Sequence, residues 1–184
     1  MEQLNPRARR DAYGSKLNRA HSPVLAYGLP WLTIAAFSLL PLLPMIALAP
    51  VVPPLAYMML LAWRLMRPGL LPMWAGLPLG LIDDMFSGQP LGSAILLWSL
   101  TIIATELLEL RFPWRSFWQD WAAAIVFILA YLLATAVVSG GRLDIVQFGL
   151  LIPQALFAIL AFPIVAKMVS LFDRIRLKRV RRIG

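Results

Sequence analysis

Two adjacent carboxylates, Asp83 and Asp84, stand in the apolar stretch Gly76-Leu-Pro-Leu-Gly80-Leu-Ile-Asp83-Asp84-Met-Phe-Ser87-Gly88-Gln-Pro90-Leu91-Gly92. A carboxylate pair can share a proton as acid and base, or hold a divalent cation. The first use needs facing carboxyls, and neighbouring helical residues point about 100° apart at 3.6 residues per turn. The second, in the D-D-x-x-D form that grips Mg²⁺-diphosphate, needs a carboxylate where Ser87 stands, and the chain has no second acidic motif. Two further readings stay open. Asp84 can cap its helical turn or accept hydrogen bonds from N–H groups of the following loop. As a costly group inside an apolar segment, it can also mark a contact with a partner.

The chain holds no cysteine and a single histidine, His21. That removes thiolate metal sites, disulfides and thiol nucleophiles, and leaves no route to an imidazole zinc site or a Ser-His triad. No metal, no cofactor and no catalytic apparatus is expected. Glu106 and Glu109 are three residues apart and share a helix face. Lys167 falls at a similar depth in a later apolar stretch, so Glu106 is predicted to pair with Lys167, and Glu109 with Arg111 or Arg115. Asp84 and Glu106 belong to opposite leaflets, which argues against a proton path between them. Ala130 and Ala134 form a small-x-x-x-small ridge, for packing within the chain or against a partner's single span. Gln147 and Gln154, two turns apart on one face, can hydrogen-bond another helix.

These side chains need helices to carry them. Of 184 residues 60% are hydrophobic and only 14% charged, and the mean hydropathy is +0.76; a soluble domain would be about half apolar and roughly a quarter charged. So few polar groups cannot cover a water-facing surface, and most of the surface must meet lipid. Spanning helices need about 20 residues. Six stretches qualify, Val24–Pro44, Val51–Met66, Gly69–Phe86, Leu91–Leu110, Phe117–Val138 and Ile145–Phe172, the second and third short and the last long. The fold class expected is therefore an all-α integral membrane bundle of about six helices. Gly76 and Gly80 form a G-x-x-x-G pair that lets a second helix approach closely. Pro78, Pro153 and Pro163 should kink their helices. Ala47-Leu48-Ala49 looks like a signal-peptidase site, but the apolar run before it exceeds the usual 7–15 residues or so and Pro50 follows it, so the segment reads as a retained span.

Charge orients the bundle. With the N-terminus inside, the cytoplasmic segments hold 16 of the 17 Lys and Arg residues, leaving Arg142 alone outside; an odd number of spans would strand one basic tail on the wrong side. Residues 1–22 and 173–184 read as basic cytoplasmic tails around a transmembrane domain at 23–172. The net charge of +8 is thus a membrane-flanking charge and not a nucleic-acid footprint, and the tails should lie on anionic lipids. Tyr27, Trp31, Trp114, Trp118 and Trp121 fall at headgroup depth.

The stretch Gly80-Leu-Ile-Asp83-Asp84-Met-Phe-Ser87-Gly88-Gln-Pro90-Leu91-Gly92 resembles the signature of the rod shape-determining protein MreD family: a Gly, three apolar residues, an Asp, a short apolar step, a small-Gly turn, then Leu-Gly. Asp84 takes the family carboxylate's place, and Asp83 replaces a residue usually apolar. The specific motif covers about a dozen residues, while topology and basic ends match over most of the chain. The resemblance implies a non-catalytic inner-membrane subunit of the bacterial elongation (Rod) complex. It would bind MreC, and through the assembly reach RodA, its penicillin-binding transpeptidase and MreB, in support of peptidoglycan synthesis and rod shape. Gly76, Gly80, Asp84, Ser87, Gly88, Pro90, Leu91 and Gly92 would be its motif or partner-binding residues. It also implies a fold similar to the S components of energy-coupling-factor transporters. A solute-binding transport subunit is the alternative, and it would need a polar pocket among outer groups such as Asp83, Asp84, Ser87 and Gln89.

Overall fold

The apolar stretches form six α-helices in the computed structural model, which describes residues 19–21, 23–42, 52–112, 116–140, 145–176 and 179–181. They are α1 (Pro23–Ser38), α2 (Leu55–Met66), α3 (Gly76–Phe86), α4 (Ser93–Arg111), α5 (Phe117–Val138) and α6 (Ile145–Arg176), with 3-10 turns at Leu40–Leu42 and Met73–Ala75. The body is all-helical. A pair of three-residue strands, β1 (Arg19–His21) and β2 (Arg179–Arg181), flanks it and pairs antiparallel, with Arg19 opposite Arg181. That pairing brings the start of α1 and the end of α6 to the same end of the bundle.

Five helices close a ring in the order α1, α3, α4, α5, α6, and α2 runs through its middle, packed on α1, α4, α5 and α6. The sequence explains the arrangement. Ten consecutive residues of α2, Ala56 to Leu65, are buried, and a helix apolar all round belongs inside a bundle. The outer helices show the opposite pattern: Leu96, Leu100, Ile103 and Leu107 on α4, and Val126, Leu133 and Val137 on α5, are exposed. An outer surface of this kind meets lipid.

Three helical segments are long and apolar enough to cross a membrane, Ser93–Arg111, Phe117–Val138 and Leu151–Arg176. At 1.5 Å per residue α2 and α3 extend only about 18 and 17 Å, well short of the roughly 30 Å of hydrocarbon. Protein surrounds α2 and lies against one face of α3.

The α3–α4 hairpin is the tightest joint. A Cβ added at Gly76 would lie 2.7 Å from Ser99 Cα, and one at Gly80 2.7 Å from Ile95 Cα. The two helices meet backbone to backbone, so the G-x-x-x-G ridge is used inside the chain. The α3 stretch begins later than its composition suggests, at Gly76 and not Gly69, because Gly69 adopts φ +74° and Pro72 precedes a 3-10 turn. Pro78 consequently falls in the first turn of α3, where the missing N–H has little cost, and the kink expected there is replaced by a helix start. Helix α6 continues through both Pro153 and Pro163 to Arg176, four residues past the predicted end at Phe172. Helix α5 opens with a capping box in which the Ser116 amide donates to Gln119 Oε1 at 2.9 Å.

Substituting Gly80→Val should force the hairpin apart and cost about 1–3 kcal/mol, the usual range for overpacking, read as a thermal midpoint in detergent several degrees lower. Gly149→Ala, where an added methyl meets nothing within 4 Å, should leave the midpoint unchanged or raise it slightly.

Candidate functional site

Polar side chains gather at both ends of the bundle, and each gathering follows from a helix terminus. At the end away from the paired strands, α3 stops at Phe86. A turn with Gly88 at φ +69° and Gly92 at φ +95° reverses the chain into α4. The first amides of α4 have no intrahelical acceptor, and its N-cap residue, Gly92, offers no side chain. Asp84 supplies the acceptors. Its Oδ2 receives the Gly92 amide at 2.8 Å and the Ile95 amide at 3.3 Å. Its Oδ1 receives the Ala94 amide at 2.8 Å and the Ser93 hydroxyl at 3.1 Å. Negative charge is also favoured at the positive end of the α4 dipole. Asp84 is only 4% exposed, and every donor it engages belongs to the start of α4.

Gly76, Gly80 and Asp84 recur every four residues on one face of α3. The two glycines bring α4 into contact, and the carboxylate one turn further reaches its N-terminus. The Pro90 carbonyl accepts the Ser93 amide at 3.0 Å, and Leu91 is exposed. The motif is therefore brought together as one hairpin, with Asp84 in the capping role that the sequence left open. Asp83 is rotated away from α4. It is 6% exposed, close to the buried Ser38 of α1, and lines a cavity together with Ser87 and Gln89.

At the other end, Arg64 in the last turn of α2 is 1% exposed and forms an ion pair with Glu106 of α4, with Glu109 at 4.0 Å. Its Nε donates to Thr105 Oγ1 and one terminal nitrogen to the Leu71 carbonyl, both at 3.3 Å. The predicted Glu106–Lys167 pair is thus replaced by Glu106–Arg64. The reason is lateral position: α5 and α2 stand between α4 and α6, and Lys167 is exposed on α6. Similar depth did not make them neighbours. Glu109 also comes to 4.0 Å of Arg64, and Arg115, one of its two expected partners, lies outside the described residues. One turn further, Arg67 Nε donates to Asp173 Oδ2 at 2.9 Å and Arg176 Nε to Asp173 Oδ1 at 3.0 Å, which ties the end of α2 to α6.

Arg64, Arg67 and Asp173 were not anticipated as a site. By sequence Arg64 and Arg67 count only among the 16 cytoplasmic cations, and the available signal was that Arg64 ends a stretch apolar on every face. Helices α2 and α4 run parallel along a polar seam, Arg64 on Thr105 and Tyr57 Oη on Thr101 Oγ1 at 3.0 Å. Ala130 is exposed and Ala134 partly so. Gln154 Nε2 donates to the Val52 carbonyl at 2.9 Å; the side chain of Gln147 lies outside the description. Trp118 lies tilted against Trp121 at 5.6 Å between centroids, and Trp114 falls outside the described residues. Among the described residues no three His, Asp or Glu side chains converge as metal ligands. Neither cluster sets a nucleophile against a base. What both do is hold helix ends together.

A family model for the rod shape-determining protein MreD matches residues 26–174. No curated protein and no solved structure matches the chain.

Removing one partner of a buried ion pair costs about 3–5 kcal/mol, whereas exchanging both for apolar residues is close to neutral. Glu106→Leu should fall at the low end, since its side chain is 37% exposed, and the double variant Arg64→Met, Glu106→Leu should recover most of the loss in detergent melting. No recovery in the double variant would mean that the pair is not what stabilises this end. Asp84→Ala should likewise destabilise more than Asp83→Ala, because it strips three amides of their acceptor.

Proposed function

The chain belongs to the rod shape-determining protein MreD family, and from that premise we propose that it is a non-catalytic scaffold subunit of the Rod complex in the bacterial inner membrane. The family makes it a membrane protein of cell-shape determination. The finer assignment is that it binds MreC and, through the assembly, RodA, its penicillin-binding transpeptidase and MreB.

The observation that carries this reading is where the polar groups go. Asp84, Arg64, Glu106 and Asp173 are each bonded to another part of the same chain. Among the described residues, the widest surface left to other proteins is the apolar outside of the ring. Ala122, Val126 and Ala130 stand exposed at four-residue intervals on α5, a shallow stripe suited to the close approach of a single span from MreC. Helix packing of that kind needs no polar site and no chemistry.

The pairing of β1 with β2 supports an even number of crossings with both ends on one side, and the excess of Lys and Arg near those ends supports the cytoplasm as that side. The same cations suit anionic headgroups, each contributing about 1 kcal/mol near the surface. Short α2 then crosses only inside the ring, and short α3 only as the partner of α4 in their hairpin.

Co-expression with the MreC of the same organism tests the scaffold. The two should co-purify in mild detergent, and Ala130→Trp should reduce recovery of MreC severalfold while leaving the melting temperature of the isolated chain unchanged. Undiminished recovery would exclude the α5 stripe, and failure of the native chain to retain MreC would exclude the scaffold. Reporter fusions at the two ends should both show cytoplasmic activity; opposite compartments would refute the even topology.

A further inference from the structure

At the end of the bundle away from the paired strands, a cavity of about 400 Å³ lies among the last turn of α1, the first turn of α2, the end of α3, and the facing sides of α5 and α6. Small-molecule sites commonly run from about 300 to 1,000 Å³, mostly apolar with a few convergent polar groups. This one has that make-up. Phe37 and a run of prolines and aliphatic residues form most of the wall, and Asp83, Ser87, Gln89 and Tyr131 are its polar part.

Among the described residues, Asp83 has the Ser38 hydroxyl of α1 beside it but no positive group, and Ser87 lacks a partner altogether. Asp83 is buried, and no cationic side chain pairs with it among the described residues. Its charged neighbour is another carboxylate, Asp84, which is itself fully engaged by the start of α4. The buried Ser87 hydroxyl has no hydrogen-bond partner. Tyr57 and Tyr131, stacked at 3.9 Å between centroids, stand in the same wall, and aromatic faces attract cations. A carboxylate held in apolar surroundings is costly unless a positive group meets it.

We propose that this cavity binds a small organic ammonium ion with an apolar body, the ammonium donating to Asp83 with Ser87 and Gln89 Oε1 as further acceptors, and the apolar part against Phe37 and the tyrosine rings. The shared chemistry is a primary ammonium group. A free amine supplies it, and so does the ethanolamine headgroup of a phospholipid whose chains stay in the bilayer. This inference is independent of the scaffold reading, since neither MreC nor any other subunit enters it.

The test uses the purified full-length chain. In detergent it is titrated with hexylammonium chloride and with hexanol, the neutral molecule of matching shape, by calorimetry. In parallel, lipid retained from an equimolar mixture of phosphatidylethanolamine and phosphatidylglycerol is read by native mass spectrometry. The expected result is saturable one-to-one binding of hexylammonium at least tenfold tighter than hexanol, or selective retention of phosphatidylethanolamine. Either supports the site, and which occurs names the source of the amine. Asp83→Asn should abolish the preference. Ser87→Leu, which keeps the carboxylate and fills the space, should do the same and serves where Asp83→Asn does not fold. No preference for the amine in the native chain, or an undiminished one in both variants, overturns the proposal.

Discussion

An amide at membrane depth has no water to bond, and each one left bare costs several kcal/mol. The first turn of α4 is where this chain meets that cost most directly, because a glycine occupies the N-cap and the turn is buried against α3. Asp84 resolves it from across the hairpin, with one carboxylate taking three backbone amides and a hydroxyl. The consequence is geometric as well as energetic. The bonds fix the register of α4 on α3, and that register is the one in which Gly76 and Gly80 lie under Ser99 and Ile95. Without the glycines the carboxylate would stand too far off; without the carboxylate the close approach would leave amides unsatisfied.

The same constraint governs the middle of the bundle. Helix α2 is too short to cross lipid alone, and it is stable as the axis of a ring because its neighbours satisfy what it brings with it. Trp63 donates to Thr33 of α1 at 3.0 Å, Tyr57 to the Phe127 carbonyl of α5 at 3.2 Å, and Arg64 finds α4. Together the polar groups on α2 reach α1, α4 and α5. Apolar packing alone would permit several rotations of a helix buried on all sides; these bonds select one. At its C-terminal end the selection is charged, with Arg64 toward α4 and Arg67 toward Asp173 of α6, so the axis is fixed against opposite sides of the ring.

How much of this could be read without coordinates divides along one line. Properties set by the order of residues along one helix were legible: α5 spans the residues its hydropathy marks, Phe117–Val138, whereas the use of Asp84 stayed open between bonding the following chain and meeting a partner. Properties set by which helices stand side by side were not. Depth placed Glu106 level with Lys167, but depth is one coordinate and the ring order is another, and α2 in the centre offered Arg64 first. Pro78 was misread for a related reason. A proline restricts a helix only relative to where the helix begins, and Gly69 and Pro72 moved that beginning to Gly76.

Asp83 and Asp84 bring these levels together. Identical side chains one residue apart are turned about 100° from each other on a helix, and that angle alone gives them different environments. Asp84 faces α4 and is saturated by amides, so its charge is part of the fold. Asp83 faces inward toward α1 and α5, where the nearest polar groups are hydroxyls and another carboxylate. A membrane bundle that needed only the hairpin would gain by having an aliphatic residue there, since the position is buried and its hydrogen-bonding neighbour is the Ser38 hydroxyl of α1 and no part of α4. The carboxylate at 83 is therefore explained by what it lines and not by what it holds together, and the physical question it raises concerns the cavity, while the question Asp84 raises is answered within the chain.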